Sequence, residues 1–290
     1  MANLKEIRIR IASVESTKQI TSAMKMVAAS KLRRAQDAIV MMRPYAAKMH
    51  EIMQDLAAGS EVAAQNVFTV ERETEKVLLI AITSNRGLCG AFNANVIKKV
   101  NHLLANDFAG YDVDLITIGK KATEFFKKPS YKLVESHDEL WDKLTWENVR
   151  DFTESILEKY QEGDYDRIEL VYNQFKNAAS QILTVERFLP VEPLDDEFEN
   201  DSQKVDYIME PSQDVIVNEL IPKSLKVQMY KALLDSYAAE HGARMTAMHK
   251  ATDNATEMIK ELKLTYNKAR QASITNEIIE IVSGANALKG

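Results

Sequence analysis

Ser84-Asn-Arg-Gly-Leu-Cys-Gly-Ala-Phe92 is the stretch of this 290-residue chain whose residue types come nearest to chemistry. It follows a continuous apolar run, Lys76-Val-Leu-Leu-Ile-Ala-Ile-Thr83, and precedes a helical segment from about Ala91 to Asn106. A glycine-bearing strand-to-helix turn of this kind holds phosphates in doubly wound folds. The spacing Gly87-x-x-Gly90, however, matches neither G-x-G-x-x-G nor the P-loop pattern. The second strand ends Ile116-Thr-Ile-Gly119, without the acidic residue that would bind a ribose. A structural turn is the expectation. Cys89 beside Arg86 has some of the makings of an activated thiol, but no histidine is near in sequence, so a small buried residue is expected.

The other chemical residue types form no constellation. His50, His102, His137, His241 and His249 are scattered without an H-x-x-x-H pair, and no G-x-S-x-G elbow is present. Glu277 and Glu280 lie three apart on one helix face, with Arg270 two turns earlier, and read as polar anchors. No catalytic, cofactor-binding or metal-binding residue is therefore expected.

The elements that frame this turn are more informative. Strands are expected over 76–83, 112–118, 131–134, 167–172 and 181–186, the last two as an antiparallel pair, with a helix over 146–161. Continuous apolar strands alternating with helices indicate a mostly parallel sheet with helices on both faces. The fold class is thus α/β: a Rossmann-like domain over 75–210, flanked by long helices over 1–58 and 212–290 that pair as an antiparallel coiled coil.

Those helices are long because nothing stops them. After Pro222 there is no proline, and proline costs roughly 3 kcal/mol in a helix interior. Leu234, Tyr237, His241, Met245, Met248, Thr252, Ala255, Ile259, Leu262, Tyr266 and Ala269 recur at spacings of three and four, which is a coiled-coil seam. At about 1.5 Å per residue the C-terminal helix would be on the order of 100 Å long. In the N-terminal helix, Leu4, Ile7, Ile11 and Val14 begin a matching seam. Ile20, Met24, Val27 and Ala28 are expected to continue it after a register shift, with a kink at Pro44. If both helices start level, about 17 C-terminal residues, roughly 25 Å, overhang. They include Ile274, Ile278, Ile279, Ile281 and Val282, so the tip expects a socket in a partner.

Charge adds a direction. The net charge is −6, yet residues 1–43 carry nine basic against three acidic side chains, and residues 185–220 carry two basic against eleven acidic. The basic stretch is either a solvated face or a match for an anionic partner. No apolar run approaches the roughly 20 residues of a membrane span. The N-terminus lacks the apolar core of a signal peptide. A single cysteine excludes an intramolecular disulfide and fits a reducing compartment.

Several collinear motifs carry a family resemblance. Ile274-Thr-Asn-Glu277-Ile-Ile-Glu280-Ile-Val-Ser-Gly284-Ala285 resembles the C-terminal signature of the gamma subunit of F-type ATP synthases. Ile11-Ala-Ser-Val-Glu-Ser-Thr-Lys-Gln-Ile-Thr, Ala23-Met-Lys-Met-Val-Ala-Ala-Ser-Lys and Thr83-Ser-Asn-Arg-Gly-Leu-Cys-Gly-Ala-Phe-Asn93 resemble it too. So do Met245-Thr-Ala-Met-His-Lys-Ala-Thr-Asp-Asn254 and Tyr266-Asn-Lys-Ala-Arg-Gln-Ala-Ser-Ile-Thr275. No cysteine-bearing insert of the chloroplast kind is evident, which points to a bacterial form.

The resemblance implies a non-catalytic central-stalk rotor of a proton-translocating complex, one copy per complex, coupling c-ring rotation to conformational change at the catalytic beta subunits. The implied partners are three alpha and three beta subunits, epsilon and the c-ring. The implied location is peripheral, at the cytoplasmic face of a bacterial cell membrane, with membrane association only through the c-ring. Arg8, Arg10, Lys18, Lys25, Arg33 and Arg34 would meet acidic beta-subunit loops, and Arg270 and Gln271 would form a catch on one of them. Ile274, Thr275, Glu277, Ile278, Glu280, Ile281, Val282, Gly284 and Ala285 would form a bearing tip in a hydrophobic sleeve. Tyr207 and Glu210 would belong to the foot near epsilon and the c-ring. Two readings from other classes stand beside it: a nucleotide-binding α/β enzyme with coiled-coil dimerisation arms, and a nucleic-acid-binding coiled coil using the basic helix. The first requires a phosphate loop or catalytic cluster, and the second predicts salt-sensitive binding.

Overall fold

A computed structural model of the chain describes residues 4–57, 66–191 and 213–287. In chain order these form α1 (Leu4–Ala57), β1 (Lys76–Ile82), α2 (Phe92–Ala105), β2 (Asp112–Ile118), α3 (Lys120–Phe126) and β3 (Leu133–Ser136). They continue as α4 (Glu139–Asp142), α5 (Trp146–Gln161), β4 (Arg167–Phe175), β5 (Gln181–Leu189) and α6 (Gln213–Ala287). Two compact units result. One joins residues 1–28 to 245–290, and the other spans residues 29–244, so α1 and α6 contribute to both.

In the larger unit the five strands lie in the order β3-β2-β1-β4-β5. All pairings are parallel except β4 with β5, which is antiparallel as expected from their closeness in sequence. The period of two sorts each strand between two apolar layers. Val77, Leu79 and Ala81 of β1 face α2 and α3 through Val96, Val100, Ala122 and Phe126. Leu78, Ile80 and Ile82 face the other way, against α4, α5 and α6. The core therefore extends past residue 210: Ile221, Leu225, Met229, Leu233, Ala239 and Ala243 of α6 are buried in that second layer.

Differences from the sequence reading are local. β3 begins two residues later than expected, and β4 and β5 each run three residues further. The one-turn helix α4 had no periodic signal because four residues are too few to show a period. Both long helices continue through their prolines, Pro44 in α1 and Pro222 in α6.

The N-terminal seam needs correction. Ile20 and Val27, expected in an apolar stripe after a register shift, are 58% and 59% exposed. Of the other two positions expected there, Ala28 is buried and Met24 half-buried. A line of covered positions runs Ile7, Ile11, Val14, Lys18, Thr21, Lys25, Ala28 and then, in the larger unit, Leu32, Ala35 and Ile39, with Ser22, Met24 and Ala29 half-buried beside it. The spacing along that line alternates strictly between four and three. An uninterrupted helix carries its seam onward at that period whatever residue falls there, so polar side chains enter it and the nearby isoleucine and valine turn outward.

Candidate functional site: a helix pair and its exposed tip

Within the smaller unit, four side-chain contacts set the direction of the pair. Arg8 Nη2 donates to Tyr266 Oη at 2.9 Å, and Glu15 Oε1 is 3.3 Å from Lys263 Nζ. The Thr21 and Thr252 hydroxyls are 2.9 Å apart, and Lys25 Nζ is 3.4 Å from His249 Nδ1. Partners on α6 recede as α1 advances, so the helices are antiparallel. The covered apolar residues of the pair are Ile7, Ile11 and Val14 on α1 and Ala255, Ile259 and Leu262 on α6, with Tyr266 and Ala269 half-buried toward the start of α1.

The basic residues occupy different surroundings. Arg10, Arg33 and Arg34 are exposed. Arg8 is exposed too but tied down, its guanidinium 5.8 Å from the Tyr266 ring centroid. The Tyr266 hydrogen bond holds its proton more tightly than usual. Lys18 and Lys25 stand half-buried at seam positions. His249, beside Lys25, is also 3.4 Å from Asp253 Oδ2.

Since Arg8 meets Tyr266 and α1 starts at Leu4, no described residue of α1 stands opposite α6 beyond about Arg270. From Arg270 to Asn286 every side chain is exposed except half-buried Ser273. Ile274, Ile278, Ile279, Ile281 and Val282 are 48% to 71% exposed. The direction in which they point is informative. At about 100° per residue, the line of the α1-facing seam continues through Ser273, Glu277, Glu280 and Gly284, which are polar or small. Ile274, Ile278, Ile281 and Ala285 form a separate stripe roughly 100° around the helix. The exposed apolar stripe thus lies off the line that faces α1. Its polar residues bond locally: Thr275 Oγ1 donates to Gln271 O at 2.9 Å, and Ser273 Oγ donates to Glu277 Oε1 at 3.5 Å. Tyr207 and Glu210, with the acidic stretch around them, lie outside the described residues.

The phosphate-loop candidate lies in the larger unit. Its turn is bound from within: Ser84 N and Oγ both donate to Asn93 Oδ1, at 2.9 and 3.0 Å, and Asn85 Nδ2 donates to Asp138 O at 3.0 Å. Gly119, at φ +97°, packs so closely on this turn that a Cβ would lie 2.0 Å from Thr83 O. Cys89 is buried, and burial pushes its thiol pKa up, opposite to an activated nucleophile. The carbonyls of Arg86 and Gly87 accept from the Arg244 guanidinium. Sequence reasoning missed Arg244; its only signal there was one more arginine in a long helix. Two carbonyls of the loop are thus taken up by a cation of the chain itself.

Comparison with known proteins gives a consistent result. A family model described as ATP synthase matches residues 3–288. The chain is 59% identical, over the full length of both, to the ATP synthase gamma chain of Flavobacterium johnsoniae. It is 52% identical to that of Cytophaga hutchinsonii, over 99% of each chain. Among solved structures it resembles a chain in the rotor of Euglena gracilis mitochondrial ATP synthase, with TM-score 0.66 and 22% identity over 93% of this chain and 98% of that one. A chain of the central stalk and c-ring structure of Tetrahymena thermophila mitochondrial ATP synthase gives TM-score 0.60 and 25% identity, over 80% and 99%.

Proposed function

The chain belongs to the ATP synthase family as a gamma chain, and from that premise we propose how its paired helices and tip work as a central-stalk rotor. The subunit is mechanical and not catalytic. The observation that carries the reading is the tip: five large apolar side chains exposed on a helix end, three of them (Ile274, Ile278 and Ile281) on a stripe turned away from the α1 seam and Ile279 and Val282 on further faces. Apolar contact is non-directional, so a sleeve around Ile274, Ile278, Ile281 and Val282 holds the shaft with little resistance to turning. Arg270 and Gln271, exposed just below, are placed to make directional hydrogen bonds that form in some orientations and break in others. The exposed cations Arg8, Arg10, Arg33 and Arg34 suit acidic loops of surrounding beta subunits, while Lys18 and Lys25 approach them from the rim of the seam. One asymmetric shaft in a threefold ring then favours a different conformer at each catalytic site.

In this reading three alpha and three beta subunits surround one copy of the chain, with epsilon and the c-ring at the foot, where Tyr207 and Glu210 belong. No helix among the described residues is long and apolar enough to cross a membrane. Attachment through the c-ring places the subunit peripherally, at the cytoplasmic face of the cell membrane. The nucleotide-enzyme alternative is not favoured, because the turn it needs has its Arg86 and Gly87 carbonyls bonded to Arg244.

Deleting residues 274–290 tests the reading. The truncated chain is expected to keep its sheet unit folded by circular dichroism, to co-purify with fewer alpha and beta subunits, and to lose ATP-driven ion pumping. Loss of folding of the sheet unit would make the tip an internal core element instead. Full assembly with full pumping would remove its role as a bearing.

A further inference from the structure

In a doubly wound sheet, ligands enter beyond the carboxyl ends of the strands where the strand order reverses. Here the chain runs outward from β1 to β2 and β3 and returns to β4 on the other side of β1, so the reversal lies between β1 and β4. The loop over 84–91 follows β1 at that place. We infer that this chain has turned its ligand crevice into an internal clutch, in which Arg244 and Glu240 of α6 are positioning residues that fix the rotational angle of α6 on the sheet.

Arg244 brings one guanidinium to three acceptors. It donates to Gly87 O, to Arg86 O at 3.1 Å, and to Glu240 Oε1 at 2.6 Å from Nη2 and 3.1 Å from Nε. The other Glu240 oxygen accepts from Trp141 Nε1 of α4 at 2.8 Å. Both members of the ion pair are nearly shut off from water, with side chains 10% and 5% exposed. The loop they grip is itself pinned, through Ser84 to Asn93, and through Asn85 to Lys120 N and Asp138 O. On another side of the same turn of α6, Gly242 approaches the β4–β5 hairpin so closely that a Cβ would come 3.2 Å from Ala178 Cα and Ala178 O.

The physical reason for such a device lies in how the rest of α6 is held. Between Ile221 and Ala243 it packs on the sheet through a row of apolar side chains, with polar bonds at its other end from Gln228 to Glu186 at 2.7 Å and from Lys226 to the exposed Glu154 at 3.1 Å. Apolar packing resists separation but has little directional preference, so a helix under torque can slip between neighbouring ridge-and-groove positions. The Arg244–Glu240 pair lies within α6 and orients the guanidinium. The bonds that leave the helix, from Arg244 to the Arg86 and Gly87 carbonyls and from Trp141 Nε1 to Glu240, define one angle and break on rotation. Placed where α6 leaves the larger unit, they decide whether a turn of the sheet becomes a turn of the helix.

The inference rests on the rotor reading, and the two fail in distinguishable ways. The test uses whole ATP synthase in membrane vesicles, carrying Arg244→Ala, Arg244→Lys or Glu240→Gln. Subunit content, ATP hydrolysis by the detached soluble sector, and ion pumping per ATP hydrolysed are measured together. Expected for Arg244→Ala are parental subunit content, hydrolysis within about twofold of the parent, and pumping per ATP reduced severalfold. Arg244→Lys, which keeps the charge but cannot span three acceptors, is expected in between. Glu240→Gln keeps the shape but weakens the pair and should also lower the ratio. If Arg244→Ala fails to assemble, the Lys and Gln variants decide. Parental pumping per ATP in both of them, or pumping and hydrolysis falling in equal proportion, overturns the clutch. Absence of alpha and beta subunits from the unmutated preparation would overturn the rotor reading itself.

Discussion

Thr21 and Thr252 meet hydroxyl to hydroxyl at 2.9 Å across the helix pair, at a seam position where an apolar residue would be the usual occupant. Each also has a backbone acceptor within reach, Lys18 O at 3.1 Å for Thr21 and Met248 O at 2.8 Å for Thr252. Whichever hydroxyl donates across the gap, the other donates to its own helix, so both are satisfied. This fallback sets the cost of losing one partner. A lone buried hydroxyl left unpaired costs about 1–3 kcal/mol, but here the survivor still has its carbonyl. Thr21→Val and Thr252→Val are each expected to destabilise the chain by less than about 1 kcal/mol. The double variant should be no worse than either single one. Urea unfolding followed by helical signal measures both; a single-variant loss above about 2 kcal/mol would show that the backbone bonds do not form.

The seam assignment makes a sharper contrast. Val27 is 59% exposed and Leu32 is 5% exposed, though both read as apolar helix positions. Val27→Ser should change stability by no more than about 0.5 kcal/mol. Leu32→Ala should cost about 2–5 kcal/mol, because it leaves a cavity. Equal costs would mean that the seam follows the register through Val27 after all.

Two glycines of the same turn region should behave oppositely. Gly119→Ala places a Cβ 2.0 Å from a backbone oxygen at a φ of +97°, and neither clash nor strain can be relieved by a side-chain rotation. That variant is expected to fail to accumulate as soluble chain. Gly87→Ala meets nothing within 4 Å and should be recovered at parental yield with an unchanged thermal midpoint. Recovery of a stable Gly119→Ala chain would refute the close packing of β1 on the β2–α3 turn.

His241 is the titratable group to follow in acid. It is 4% exposed, and burial drives its pKa down to about 4. Of its charged neighbours, Glu240 opposes that shift, while Lys31 and Arg244 reinforce it. The Tyr237 ring packs against it at 4.4 Å. With a folded pKa below the unfolded value of 6.5, the unfolded chain binds more protons between those limits. Stability from this group is therefore complete above about pH 6.5 and is lost as pH falls toward 4, by roughly 3 kcal/mol at most. His241→Gln should flatten the stability profile in that window relative to the parent. Parallel profiles for the two chains would show that His241 is not held neutral.

Much of this architecture was legible in the residues. Val77 to Ile82 alternates its side chains between two apolar layers, and a strand buried on both faces reads as a continuous apolar run. The overhang followed from helix lengths alone, because few helix-breaking residues interrupt either long helix and rise per residue is constant. The seam from Leu234 to Ala269 was found because periodicity is a property of one helix. Its counterpart on α1 was misplaced at Ile20 and Val27, though not at Met24 and Ala28, for a reason equally physical. Lys18, Thr21 and Lys25 are polar, and a reading guided by hydropathy moves the stripe to Ile20 and Val27. Only the partner shows why polar side chains are tolerated there: Thr252 and His249 stand opposite to receive them.

What the sequence by itself determined is whatever depends on neighbours along the chain: two uninterrupted helices, strands of the buried type, and a tip whose isoleucines lie off the line of the seam. What only the tertiary structure decided is whatever depends on residues distant in sequence. Arg244 and the Arg86 carbonyl it binds are separated by 158 positions. A backbone carbonyl has no side-chain identity to read, so no pattern in the letters could announce that bond. The glycine-bearing turn looked like a weak phosphate loop because its own residues resemble one. Folding brings a guanidinium into it, and the direction of two carbonyls makes it a socket for the chain's own helix.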